Sequence, residues 1–242
     1  MTQPFRDRTV TVYRSALWPE LELRYVANEG HVLIRSDDIY DVLSNAPYRG
    51  GASKANRFVN WKVPLTYNCS DPASMMREEM HLWGYPPDMA IGLQTAAHIT
   101  HSAFAEENGD EFKLLVCASA GTGNAARAGL VRETFSAYVP GTINIMIFVD
   151  GKMTHSAMVN AIISATEAKS AALDDLKVKD YAHDRVATGT TTDTVLVAVS
   201  QSDTYAPIHQ YAGAATTIGN AIGRLAYEAV YEAVRTQGEP LL

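Results

Sequence analysis

Two apolar runs decide how this chain folds: Phe112-Lys-Leu-Leu-Val-Cys-Ala-Ser119, closed by Ala120-Gly-Thr-Gly-Asn124, and Ile143-Asn-Ile-Met-Ile-Phe-Val149, opened by Gly141-Thr142. Each is short, rich in β-branched and large apolar residues, and bounded by turn residues, the pattern of a buried strand. The stretch from Asn124 to Tyr138 carries Gly129, is followed by Pro140, and lacks a clean apolar stripe at helical spacing. Strands without a crossover helix between them do not form a regular βαβ unit. We therefore expect an α+β fold, with two long helices packed on a largely antiparallel or mixed sheet. A four-layer αββα arrangement is the alternative.

Working outward, the strongest helical pattern runs from Ser156 to Leu176, with Met158, Ile162, Ala165, Ala172 and Leu176 on one face. Lys169 falls on that apolar stripe, whereas Glu167 faces the other way with Ser156, Asn160 and Asp174. A second long helix spans Thr217 to Val234, and its Gly219, Gly223, Ala226 and Ala233 form a narrow stripe suited to close packing. Asp71 to Trp83 reads as a shorter helix, with Asp71 as N-cap, Pro72 in the first turn and Gly84 as stop. The first part is strand-like: Arg8–Tyr13, Leu21–Val26 and His31–Arg35 alternate apolar and polar residues, with Asn28-Glu-Gly30 as a turn and Asn45–Gly51 as a loop. Met89–His98 fits strand or helix equally, and Val195–Ser200 is a strand. One domain over residues 1–242 results, strand-rich over 1–65 and motif-bearing over 112–236.

Composition narrows the function. The 242 residues carry 20 basic and 27 acidic side chains, a net charge of −7. Without a basic block, the chain is no nucleic-acid binder. Cys69 and Cys117 cannot form a disulfide scaffold, and no C-x-x-C pair exists to hold zinc. No stretch has the ~20 uninterrupted apolar residues of a membrane span, and the start at Met1 lacks an apolar signal segment. We expect a soluble, cytoplasmic protein.

Several residues carry chemistry. A lysine on an apolar stripe, as at Lys169, either snorkels out past small neighbours or points into a polar site. Gly121-x-Gly123-x-x-Ala126 after a strand, with Asp150 ending the next, meets a loose dinucleotide-binding fingerprint. Two hydroxyl-rich turns, Gly141-Thr-Ile-Asn144 and Ala187-Thr-Gly-Thr-Thr-Thr-Asp-Thr194, each precede a buried strand. Such turns satisfy loop backbone, or present hydroxyls and N–H groups to a developing oxyanion or to ligand amides. His98 and His101 have i, i+3 spacing without a third ligand, His155 is the histidine best placed for a general base, and Cys117 reads as core. No metal site is expected.

The order of these motifs resembles the adenosylcobinamide amidohydrolase family. Ala118–Gly129, Gly141–Ile145, Ala165-Thr-Glu-Ala-Lys169, Thr188-Gly-Thr-Thr-Thr-Asp193 and Tyr211-Ala-Gly213 leading to Gly219 and Gly223 carry the likeness. Ser44-Asn-Ala, Gly50-Gly51 and Asn60-x-x-Val-Pro64 extend it into the first half. The resemblance implies a corrinoid-salvage hydrolase that cuts the aminopropanol amide of adenosylcobinamide to give adenosylcobyric acid. It implies a corrinoid as substrate, no required cofactor, no nucleic-acid partner and no membrane span. Amide hydrolysis needs an activated nucleophile, donors for the oxyanion and an acid for the leaving amine. On this chain that implies Glu167 or Asp193 as base for water, with Lys169, Thr142 and Asn144 stabilising charge on the carbonyl oxygen. A covalent route through a threonine is the alternative chemistry. Asn124, Thr188, Thr190, Thr191, Tyr211 and Trp61 would bind substrate, with Trp83, Tyr85 and Tyr48 as further aromatic faces for the corrin. Helix periodicity sets Glu167 apart from Lys169; both can still serve if their helix crosses a subunit interface, in a homo-oligomer. A corrinoid carrier without turnover and a dinucleotide-dependent oxidoreductase are the competing functions.

Overall fold

The computed structural model describes every residue except 8, 29, 65, 67, 68, 133–140 and 242. In chain order come β1 (Val12–Arg14), β2 (Glu22–Val26), β3 (His31–Ser44), β4 (Gly51–Lys62), α1 (Pro72–Leu82), β5 (Ala90–Thr95), β6 (Ala103–Gly109) and β7 (Phe112–Ala120). The second half holds β8 (Ala125–Ala126), β9 (Ile143–Asp150), α2 (His155–Asp175), β10 (Lys179–Asp180), β11 (Arg185–Val186), β12 (Gly189–Thr190), β13 (Thr194–Val199) and α3 (Thr217–Thr236).

The α+β class stands, and the sheet is mixed. Strands β7 and β9 pair antiparallel, Ser119 opposite Asn144, in keeping with a sequence that shows no helical stripe between them. β9 and β13 run parallel with α2 in their connection, β4 and β5 run parallel with α1 in theirs, and the other pairs of the large sheet are antiparallel. The β3–β4 hairpin is bent: Arg35 faces Arg57 and Tyr40 faces Ala55, so the residues between them on β3 bulge. Before the bend β3 pairs with β2, and after it with β13.

That bend folds the sheet on itself. Leu23, Ile34, Phe58 and Leu93 of the first half pack against Leu115, Cys117, Met146, Phe148 and Leu196 of the second. On the outer face of the first half, Val59 and Trp61 meet Met76 and Met80 of α1. On the outer face of the second, Ile143, Ile145 and Ile147 meet Met158, Ala161 and Ala165 of α2 and Ala221, Leu225 and Ala229 of α3. Alternate side chains of β9 thus enter two different cores, which is why its sequence is apolar without alternation. The layers are α1, sheet, sheet, and α2 with α3: the four-layer alternative. The small residues of α3 serve close approach, since a Cβ on Gly219 would lie 2.2 Å from the Gly213 carbonyl oxygen. Among the described residues no helix is long and apolar enough to cross a membrane.

Several expectations are corrected. Strand β3 runs to Ser44 rather than Arg35, because the polar Ser36-Asp-Asp38 run marks the bend and not an end. Strands β4 and β6 have no counterpart in the sequence reading, and Met89–His98 resolves into strand β5. Of Arg8–Tyr13, Arg8 lies outside the described residues and the strand is Val12–Arg14; Glu29 of the Asn28–Gly30 turn also lies outside them. The Gly121-x-Gly123 loop leads into the two-residue β8 instead of a helix, so no helix N-terminus is present to receive a pyrophosphate. The part of that segment from 133 to 138 lies outside the described residues.

Candidate active site

One end of the two-sheet sandwich gathers the polar residues. There β7 and β3 finish while β9 and β13 begin, with Asn144 opposite Ser119 on one side and beside Thr194 on the other. Asp193 stands one residue before β13. Its Oδ1 accepts the Thr190 hydroxyl at 2.5 Å and the Ile143 N–H at 3.1 Å. Its Oδ2 accepts the Thr190 N–H at 3.0 Å and the Lys169 ammonium. The clustering of threonines around an aspartate is thus a turn wound about its carboxylate.

Lys169 reaches that carboxylate from the buried stripe of α2, its side chain 7% exposed. Ion pairing compensates the burial of both charges. Glycine at 189 is what lets the pair form: a Cβ there would sit 2.4 Å from Asp193 Oδ2 and 2.7 Å from Lys169 Nζ. On the other flank Asn45 donates to the Asp193 carbonyl at 2.8 Å and accepts the Val195 N–H at 2.8 Å, tying the end of β3 to the start of β13.

Thr142 and Thr192 make a reciprocal pair. The Thr142 hydroxyl donates to the Thr192 carbonyl at 2.8 Å, and the Thr192 hydroxyl to the Gly141 carbonyl at 2.7 Å. Asn124 Nδ2 donates to the Thr191 hydroxyl at 2.7 Å and to that of Thr192 at 3.5 Å. Between the sheets, Asn144 Nδ2 donates to Asn60 Oδ1 at 2.8 Å and to the Gln94 carbonyl at 3.0 Å, while Asn60 donates to the Ser119 hydroxyl at 2.8 Å. Behind the Asn124 loop, Gln237 just past α3 accepts the Thr122 N–H at 2.9 Å.

Comparison with known proteins bears on this arrangement. The family model described as adenosylcobinamide amidohydrolase matches residues 17–240. The chain belongs to the adenosylcobinamide amidohydrolase family. That places it among hydrolases of carbon–nitrogen amide bonds. An adenosylcobinamide amidohydrolase of Methanosarcina mazei is 27% identical over 223 residues, 90% of this chain and 100% of that one. An uncharacterized protein of Methanocaldococcus jannaschii is 32% identical over 168 residues, 62% of this chain and 64% of that one, so the match spans just under two thirds of that relative. Among solved structures, a Burkholderia sp. beta-aminopeptidase aligns over 85% of this chain and 77% of its own with a TM-score of 0.40 and 13% identity.

The motifs through which the sequence resembles the adenosylcobinamide amidohydrolase family do not all reach one place. Asn124, Thr142, Thr190, Thr191, Asp193 and Lys169 join one hydrogen-bonded cluster, with Asn144 two residues along β9 from Thr142. Glu167 does not join them: it is exposed, about 200° around α2 from Lys169 at ~100° per residue. Thr188 holds the loop backbone, its hydroxyl accepting the Ala128 N–H at 2.9 Å. Tyr211 is 68% exposed in the segment before α3. Trp61 lies in strand β4 rather than a loop, and it and Tyr48 pack in the core beneath α1, so neither offers an open face to a corrin. Trp83 and Tyr85 border the same core.

Other candidates fall away on contact geometry. His155 is exposed at the start of α2. The rings of His98 and His101 are 5.5 Å apart, and among the described residues no group of three His, Cys, Asp or Glu is placed to hold a metal. Burial pushes the Cys117 thiol far up, keeping it a protonated core residue. The sequence reading missed Asn45 as the brace of Asp193, and Asn60 and Ser119 as partners of the strand-β9 asparagine; Asn45 entered it as a loop residue and through the family resemblance, Asn60 through the resemblance alone.

Proposed function

We propose that this chain hydrolyses the amide joining the aminopropanol arm of adenosylcobinamide to the corrin, giving adenosylcobyric acid, at the Gly141-Thr142 segment that leads into β9. What supports the reading is the family match along residues 17–240 together with the cluster of Asn124, Thr142, Thr190–Asp193 and Lys169 at one end of the sandwich. Of the two carboxylates considered as base, Glu167 is out of reach, and Asp193 has each oxygen occupied by two donors. Asp193 therefore organises the turn, and the covalent route through Thr142 takes precedence over activation of water.

In that route the Thr142 hydroxyl oxygen attacks the carbonyl carbon and its proton passes to the leaving nitrogen. Lys169 carries three N–H groups, and Asp193 is its hydrogen-bond partner among the described residues, which leaves donors for the developing oxyanion. Water then cleaves the threonyl ester. The test is incubation of the purified protein with adenosylcobinamide, followed by chromatography of aminopropanol and adenosylcobyric acid. Equal release of both, lost in Thr142→Ala, is expected. Binding without release would make the protein a corrinoid carrier and overturn the reading.

A further inference from the structure

Asn144 is wired in the opposite sense to the one an oxyanion hole requires. Asn144 is 1% exposed, and its amide nitrogen has two hydrogens, given to Asn60 Oδ1 and the Gln94 carbonyl. Nothing is left to donate to an oxyanion. Its oxygen, by contrast, is buried and has no hydrogen-bond partner. Asn124 repeats the pattern: it is 8% exposed, its nitrogen serves the Thr191 and Thr192 hydroxyls, and its buried oxygen is unpartnered. A Cβ on Gly141 would lie 2.4 Å from that oxygen, so glycine there keeps the space beside it open. Flipping the Asn144 amide would set its oxygen against the Gln94 carbonyl, which can only accept, so its orientation is fixed; the Thr191 and Thr192 hydroxyls beside Asn124 can donate as well as accept and fix nothing there.

A buried acceptor without a donor is costly, and native chains keep few of them. Such an oxygen on Asn144, two residues from Thr142, is a buried acceptor that awaits an N–H group. We infer that Asn144 Oδ1 accepts the N–H of the scissile amide. The site selects amides over esters, and orients the amide with its nitrogen toward Asn144 and its carbonyl oxygen away from it. As nitrogen gains a proton on leaving, it gains a donor, so the contact strengthens along the reaction. This assignment rests on the amide-hydrolysing reading of the site, and reverses the oxyanion role expected for Asn144.

The test compares adenosylcobinamide with its ester counterpart, in which oxygen replaces the scissile N–H, in the wild type, Asn144→Leu and Asn144→Asp. The quantity read is the amide-to-ester ratio of kcat/KM, which is insensitive to any loss of folded protein. Asn144→Leu, which removes the acceptor, lowers the ratio about tenfold, the size of one hydrogen bond; Asn144→Asp, which keeps an acceptor oxygen, retains it. An unchanged ratio in Asn144→Leu, or an equal fall in Asn144→Asp, overturns the assignment. Calorimetric Kd values for both ligands are taken alongside. A wild type that binds both but cleaves neither condemns the proposed activity alone, and the acceptor assignment is then decided by the same ratio in Kd. Failure of the folded wild type to bind either ligand overturns both.

Discussion

Asp193 receives two main-chain N–H groups, a hydroxyl and an ammonium, so removing any one donor leaves a buried charge short of a partner. Lys169→Met removes the cation that pairs with Asp193 among the described residues and should cost about 3–5 kcal/mol in urea unfolding, the usual penalty for orphaning one member of a buried pair. Adding Asp193→Asn should recover much of that stability while turnover stays absent, because the double variant restores neutrality but not the donors. Equal destabilisation in single and double variants would contradict the pairing. Glu167→Gln, on the exposed face of the same helix, should leave turnover within about twofold of wild type and stability within ~0.5 kcal/mol. Helical periodicity made this contrast legible in the sequence: it put Lys169 on the buried stripe and Glu167 off it. What periodicity does not carry is the partner, since Asp193 and Lys169 meet only after α2 has packed across the start of β13.

At the scale of elements, the helices were the readable parts, because capping chemistry is local. Asp71 accepts the Ser74 N–H at 3.0 Å, as its place before Pro72 suggests. The bent β3–β4 hairpin was not readable, since its long strands owe their pairing to partners far along the chain, and the bend carries polar residues that mimic a strand end. A pH dependence belongs to this scale. His101, in the short turn between β5 and β6, donates from Nε2 to the Glu239 carbonyl at 2.8 Å and accepts the Thr100 hydroxyl at Nδ1. Burial, opposed by the Glu239 bond and helped by Arg6 and His98, lowers its pKa from the ordinary 6.5. A histidine with a depressed folded value contributes stability above its unfolded value and loses it as pH falls. Unfolding free energy should therefore decline from pH 7 to pH 5, and His101→Gln should flatten that decline; His98, also lowered, by burial and by Lys62, acts in the same direction. Asp180 lies outside this window. Burial alone would raise it, but Arg132, the Arg127 N–H and His183 outweigh burial and hold it well below the usual carboxylate range, so its contribution is lost only at more acid pH.

Over the whole molecule, the two chain ends hold each other and the site. Gln3 donates to the His101 carbonyl at 2.7 Å and the Thr236 hydroxyl at 2.8 Å, and Arg6 pairs with Glu239 at 2.9 Å. One residue past α3, Gln237 grips Thr122 in the loop that carries Asn124. Gln237→Ala should therefore lower kcat about tenfold, through misplacement of that loop, with a far smaller change in KM and in melting temperature; an unaltered kcat would detach the carboxyl end from the site. The layer order was open to sequence reasoning only as an alternative, because β9 faces two cores and shows no alternation to reveal them. The central claim is that the Thr142 end of the sandwich holds a corrinoid amide. The most direct measurement is a crystal structure of the Thr142→Ala protein with adenosylcobinamide bound. We expect the scissile amide beside residue 142, its N–H within hydrogen-bond distance of Asn144 Oδ1 and its carbonyl toward Lys169. A corrinoid seated elsewhere, with that amide remote from residues 124, 142 and 190, would contradict it.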